Sequence, residues 1–292
     1  MKDLLYRGLV KDINVRFSYA VTTEVAKTAI IKHDCDPVVG HLLSRALTAG
    51  VLCSPTLGED ERASITWQYP GLLKKVMVDF GSGSDVRGTT SVKQLMDQVS
   101  SEEQIYGDTG SLSVLKSNAK AVVASGTCEA VMMDLVSDLC YYFSVSDQLE
   151  TDMYIGVGLS QDPENPVHIC QGVLLQAMPG CDFEALEKMR RILHSAEFKK
   201  SLAQEPNSDN SAELILRELL KEQEQLPQYE IYPCKTPKFK CQCSREKTSG
   251  VLATLNEADV KDILAKGEDV KVSCHFCSEV YRFSPQEVAS QN

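Results

Sequence analysis

Two short cysteine pairs, Cys241-x-Cys243 and Cys274-x-x-Cys277, have spacings at which two thiolates can share one ion. Folding the segment between them would gather four sulfurs around one tetrahedral zinc. A closed set of four thiolates leaves no coordination position for water or substrate, so the expected chemistry is structural rather than hydrolytic. It is also oxidisable, because zinc and nearby cations keep sulfur deprotonated yet nucleophilic. Lys235, Lys238, Lys240, Arg245 and Lys247 are the cations at hand, with Arg245 the first choice; the rest read equally well as solvated surface charges. His275 lies inside the second pair's loop and is expected outside the ligand set. The plainer alternative is a zinc ribbon that only stabilises its own fold.

The elements around these cysteines are slight. Between the pairs, 258–264 reads as one short helix, and Val270–Val272 and Val280–Phe283 flank the second pair as strands. Few residues after 230 can build a core, so this module needs a staple, and metal binding would supply its folding energy.

Upstream, alternation over Asn14–Val21 predicts a strand, with Thr22 or Thr23 capping a helix after it. A buried helix is expected from Asp36-Pro37 to Leu52, with Val38, Leu42, Leu43, Ala46, Leu47 and Val51 at helical spacing and His41 as a packed or surface histidine. A hairpin follows over 63–80, turned at Pro70-Gly71. Gly81-Ser82-Gly83-Ser84 reads as a turn, since no Lys-Ser/Thr pair follows it as in a phosphate loop. Extended segments at 86–89, 111–115, 152–157 and 167–178 interleave with a helix around 132–143. No repeating βα unit appears, so the class is α+β. From Phe183 to Leu226 the chain is charged and helical, broken at 204–209, with Asn210 and Glu213 spaced as a capping box. The expected division is a large α+β core domain over 1–180, a helical linker over 181–230 and a small zinc-binding domain over 231–292.

A net charge of -11 opposes broad phosphate-backbone binding. The N-terminus has no apolar h-region and no stretch approaches a membrane span, so a cytoplasmic protein with no membrane or nucleic-acid partner is expected. Eleven cysteines without a secretory signal argue for reduced thiols and a metal. Cys35, Cys53, Cys128, Cys140, Cys170 and Cys181 sit in apolar surroundings and read as inert, and Cys234 has no assigned role.

Phe239-Lys240-Cys241-x-Cys243-Ser244-Arg245-Glu246, Cys274-His275-Phe276-Cys277 and Tyr281-Arg282-Phe283-Ser284 resemble the redox-regulated 33 kDa chaperonin family, bacterial heat-shock holdases activated by oxidation. Asp85-Val86-Arg87-Gly88, 138–143 and 172–180 extend the likeness over nearly the whole chain. The hairpin departs from the pattern, with Gln68, Tyr69, Leu73 and Lys74 where glycines are expected. The resemblance implies a non-enzymatic, ATP-independent chaperone, inactive while reduced with one zinc per chain on Cys241, Cys243, Cys274 and Cys277. On oxidation it implies Cys241–Cys243 and Cys274–Cys277 disulfides, zinc release, disordering of the linker, binding of unfolding client proteins and a homodimer. Two other readings compete. A thiol-disulfide oxidoreductase would use Cys274 and Cys277 but lacks the thioredoxin-like βαβ context. A zinc-ribbon nucleic-acid-binding protein rests only on the basic run at 235–247.

Overall fold

The computed structural model describes residues 2–206 and 210–291. Its chain divides into two compact units, Met1–Phe239 and Lys240–Asn292. The larger opens with β1 (Leu4–Val10), β2 (Val15–Val21), α1 (Thr23–His33) and α2 (Pro37–Cys53). Then come β3 (Arg62–Gln68), β4 (Lys75–Gly81), β5 (Asp85–Thr90), α3 (Glu102–Tyr106), β6 (Gly110–Ser117), β7 (Val122–Ala130), α4 (Leu135–Val145), β8 (Thr151–Leu159) and β9 (Val167–Ala177). Three helices follow, α5 (Phe183–Leu193), α6 (Ala196–Leu202) and α7 (Ser211–Leu219), and then β10 (Tyr229–Pro233) and β11 (Lys238–Phe239). The class is α+β, as the interleaved pattern predicts.

Two sheets, ordered β10-β1-β2-β9-β8 and β11-β5-β4-β3-β6-β7, are antiparallel throughout except for β11 on β5. Helix α2 lies in the core they share, and thirteen of its seventeen residues are buried, which explains an apolar pattern that runs nearly all the way round. Asp36 caps it by accepting from Val39 N at 2.8 Å, and Pro37 occupies the first turn. A Cβ on Gly50 would stand 2.8 Å from Val78 Cγ1, so glycine is what lets the helix sit this close to β4.

The five-stranded sheet is covered on both faces. Leu174 of β9 faces the α2 core, whereas Val173 and Leu175 face a second core with Phe17, Tyr19, Leu186, Met189, Leu193, Phe198, Leu216 and Leu219. This is why β9 reads as a continuous apolar run rather than an alternating one. Gln171 pins the covering helices: its Nε2 donates to Leu202 O and to Gln204 O, the latter at 2.9 Å, while its Oε1 accepts from Tyr19 Oη at 2.7 Å.

Several local expectations change. Neither Thr22 nor Thr23 caps α1; Thr22 Oγ1 is engaged with Thr48 and Cys170, and Asp3 reaches across instead, accepting from Glu24 N and Val25 N at 2.9 Å each. Asn210 makes no side-chain cap bond, and the Glu213 carboxylate, the other half of the expected box, accepts from Arg217 Nε at 2.9 Å and Tyr229 Oη at 3.0 Å. Helical spacing over 183–226 aligns Leu186, Met189, Leu193 and Ala196, and then Leu214, Leu216 and Leu220, but Ala196 starts a new helix and is exposed and Leu214 is 58% exposed, so neither joins the buried face. Part of the predicted break, 207–209, lies outside the described residues. The boundary at 230/231 falls inside β10, which pairs with β1, so 231–239 is built into the larger unit. Lys74 takes φ 61°, the left-handed conformation that favours glycine, while Tyr69 and Leu73 are buried.

The smaller unit holds α8 (Arg245–Leu252), α9 (Glu257–Lys266), β12 (Val270–Ser273), β13 (Val280–Phe283) and α10 (Pro285–Gln291). Its core is Leu252, Val260, Phe283 and Val288, as meagre as its composition predicts. Among the described residues, no helix is long and apolar enough to cross a membrane.

Candidate metal centre

Cys241 and Cys243 lie in an irregular stretch that ends where Ser244 caps α8, accepting from Lys247 N at 3.2 Å. Cys274 and Cys277 sit in the turn between β12 and β13, whose register pairs Ser273 with Val280. Cys274 N donates to Glu279 O and Ser278 N to Cys274 O, each at 2.8 Å, with Ser278 at φ 57° turning the chain back. These bonds set the two sulfurs of the turn on one side.

The four Sγ atoms lie within 4.8 Å of one another, with Cys241 to Cys274 at 3.7 Å and Cys243 to Cys277 at 3.4 Å. Four sulfurs at about 2.3 Å from a tetrahedral zinc stand about 3.8 Å apart, so the donor set fits that ion. Among the described residues this is the one group of three or more His, Cys, Asp or Glu whose ligand atoms converge in this way. His275 is exposed and outside it, and Cys234, which donates its N–H to Leu5 O in the larger unit, is outside it too.

The electrostatics of the site differ from the expectation of a cation cradle. Burial pushes the Cys277 and Cys274 thiols up. Arg245 is committed elsewhere: it donates to Arg282 O at 2.7 Å and Glu287 Oε1 at 2.6 Å, and lies 4.5 Å over the Phe283 ring. Lys247 Nζ donates to Gln242 O at 3.0 Å. Arg245 is therefore a brace between α8, β13 and α10, and a bound cation is what would hold these sulfurs as thiolates. One contact escaped sequence reading: Tyr281 Oη donates to Cys243 Sγ at 3.2 Å. Its only trace in the sequence is the tyrosine four residues beyond Cys277.

The chain matches the model of the Hsp33 protein family over residues 3–284. It belongs to the Hsp33 family. The 33 kDa chaperonin of Clostridium botulinum strain Langeland is 30% identical over 295 residues, covering 99% of this chain and 96% of the relative. That of Bacillus cytotoxicus is 30% identical over 299 residues, covering 99% and 98%. The crystal structure of the 33 kDa chaperonin of Thermotoga maritima, a heat shock protein 33 homolog, superposes with a TM-score of 0.85 at 25% identity, covering 100% of this chain and 98% of that one. These matches support a chaperone function for this Hsp33 chain, and its cysteine group suits a zinc site.

The other thiols of this Hsp33 chain stand outside that four-sulfur group. Burial pushes Cys53 up to about 12 and Cys170 to about 11, which keeps them protonated and unreactive. No disulfide links the described cysteines.

Proposed function

We propose that this protein is a redox-regulated, ATP-independent holdase of the cytoplasm, not an enzyme, that is silent while its cysteine centre is intact. The observation that carries this reading is the convergence of four sulfurs in a unit with almost no other core. Zinc, one per chain on Cys241, Cys243, Cys274 and Cys277, would hold the sulfurs as thiolates and staple the unit. Eleven cysteines without a disulfide suit a reducing compartment.

Oxidation is the trigger. Cys241 and Cys243 give up two electrons to one peroxide, forming one S–S bond as the O–O bond breaks and its oxygens leave as water after taking up two protons. Cys274 and Cys277 do the same with a second peroxide. Distances alone do not choose this pairing, since all four sulfurs are neighbours. Resemblance and short loop closure support it. With no thiolate left, the ligand set is gone and the small unit loses its staple.

The linker helices then give way. Leu186, Met189, Ile192, Leu193, Phe198, Leu216, Leu219 and Leu220 leave the sheet and uncover Phe17, Val173 and Leu175, an apolar surface suited to unfolding clients, and the active form is a homodimer. The test is an aggregation assay with a thermally unfolding client and no nucleotide. Peroxide-treated protein should suppress light scattering as zinc appears in solution, and reduced protein should not. Zinc release without suppression would refute the switch. Turnover of dithiol substrates would favour an oxidoreductase, and salt-sensitive RNA or DNA binding a nucleic-acid ribbon.

A further inference from the structure

The outer edge of β5 is closed by the chain itself. β11 lies parallel on it, Lys238 beside Asp85 and Phe239 beside Val86, and Lys238 N donates to Ser84 O at 3.3 Å. Where β11 stops, the His33 imidazole takes over, its Nε2 standing 3.0 Å from Gly88 O. Alternate residues of a strand turn their backbone groups to the same side, so Ser84, Val86 and Gly88 form one row facing away from β4. Two separate devices thus cover that row.

The seated segment has a definite chemistry. It is extended, carries one large apolar side chain, and has Lys238 and Lys240 on either side of Phe239, with Lys238 opposite Asp85. The Phe239 ring stands edge-on to His33 with centroids 6.5 Å apart and packs on the main core. A strand of two residues is held by few bonds. Phe239 is also the last residue of the larger unit, and Cys241 lies two residues on.

We infer that the β5 edge is a strand-acceptor site for unfolding proteins, shut here by Lys238–Phe239 and opened when the anchor at Cys241 is lost. Its occupant is an extended client segment bearing a large apolar residue beside a basic one, the chemistry of the segment that closes it. Backbone pairing supplies affinity with little regard to sequence, and the place vacated by Phe239 takes the side chain. The inference rests on the proposed switch and names a client surface separate from the one under α5 to α7.

The test is hydrogen exchange on the full-length chain, reduced and peroxide-treated, with a fluorescent peptide spanning residues 235–240 as probe. Oxidation should raise exchange across β5 by roughly tenfold or more, as for a locally opened strand. The peptide should bind the oxidised form, restore protection to β5 and compete with a client, whereas the same peptide with Phe239→Ser should not. Phe239→Ala in the reduced protein should admit the peptide without oxidant. A β5 that stays protected in oxidised protein able to suppress aggregation would overturn the inference and leave the switch intact. So would a peptide that dissociates dimers without displacing client, since the occupant is then a second copy. Opened β5 that takes the peptide in protein unable to suppress aggregation would sink the chaperone switch and leave the acceptor edge standing.

Discussion

Tyr281 donates its phenolic hydroxyl to the Cys243 sulfur across 3.2 Å, from a strand that begins three residues after Cys277. A donor on a thiolate draws off the charge that attacks peroxide, so this bond tempers Cys243. Tyr281→Phe should retain zinc yet release it several-fold faster under peroxide. A chromophoric zinc chelator in stopped flow reads the rate, and an unchanged rate would remove Tyr281 from the switch.

The ligand set predicts a spectrum. X-ray absorption of the reduced protein should show four sulfur neighbours at about 2.3 Å and no nitrogen. Cys274→Ser should loosen the metal and lower the oxidant needed, whereas Cys53→Ser, at a buried thiol raised to about 12, should do neither. A nitrogen neighbour would mean that a histidine has replaced a cysteine.

Phe198 is 1% exposed in the core beneath the linker helices, and Leu214 is 58% exposed on α7. Phe198→Ala should weaken docking by about 3 to 5 kcal/mol, the usual cost of a buried Phe-to-Ala truncation, and give reduced protein partial chaperone activity. Leu214→Ala should change neither stability nor activation. Equal behaviour of the two variants in the aggregation assay would argue that undocking of these helices is not the step that exposes the client surface.

Asp3 is raised to about 6, chiefly by burial, against the opposing pull of the Glu24 and Val25 N–H groups. Its folded value exceeds the unfolded one, so its contribution to stability is fully present below about pH 4 and is lost as pH rises through about 6. Asp3→Asn should therefore gain on the natural protein by about 1 to 3 kcal/mol between pH 4 and pH 7. Urea unfolding followed at Trp67, the single tryptophan and fully buried in the larger unit, measures it. A difference independent of pH would show that Asp3 does not titrate there.

The cysteine spacing alone determined the candidate ligands, because a one- or two-residue gap already places two sulfurs within reach of one ion. Local periodicity likewise determined α2, which buries nearly its whole length, and the β3–β4 hairpin, whose strands bury alternate residues, and the interleaving of such segments gave the α+β class. Contacts across long sequence separations were decided only by the tertiary structure. Asp3 caps a helix that starts twenty residues later, and Gln171 ties β9 to the end of α6. Arg245, named from sequence as a thiolate cation, turns to Glu287 because α10 folds back beside α8. The segment 183–226 read as charged and helical, but that its apolar stripe covers Phe17, Val173 and Leu175 was decided by the sheet face that lies beneath it. Sequence spacing reports which residues share a face or an ion; what that face meets depends on chain closure across separations well beyond one helix or strand, which no local pattern encodes.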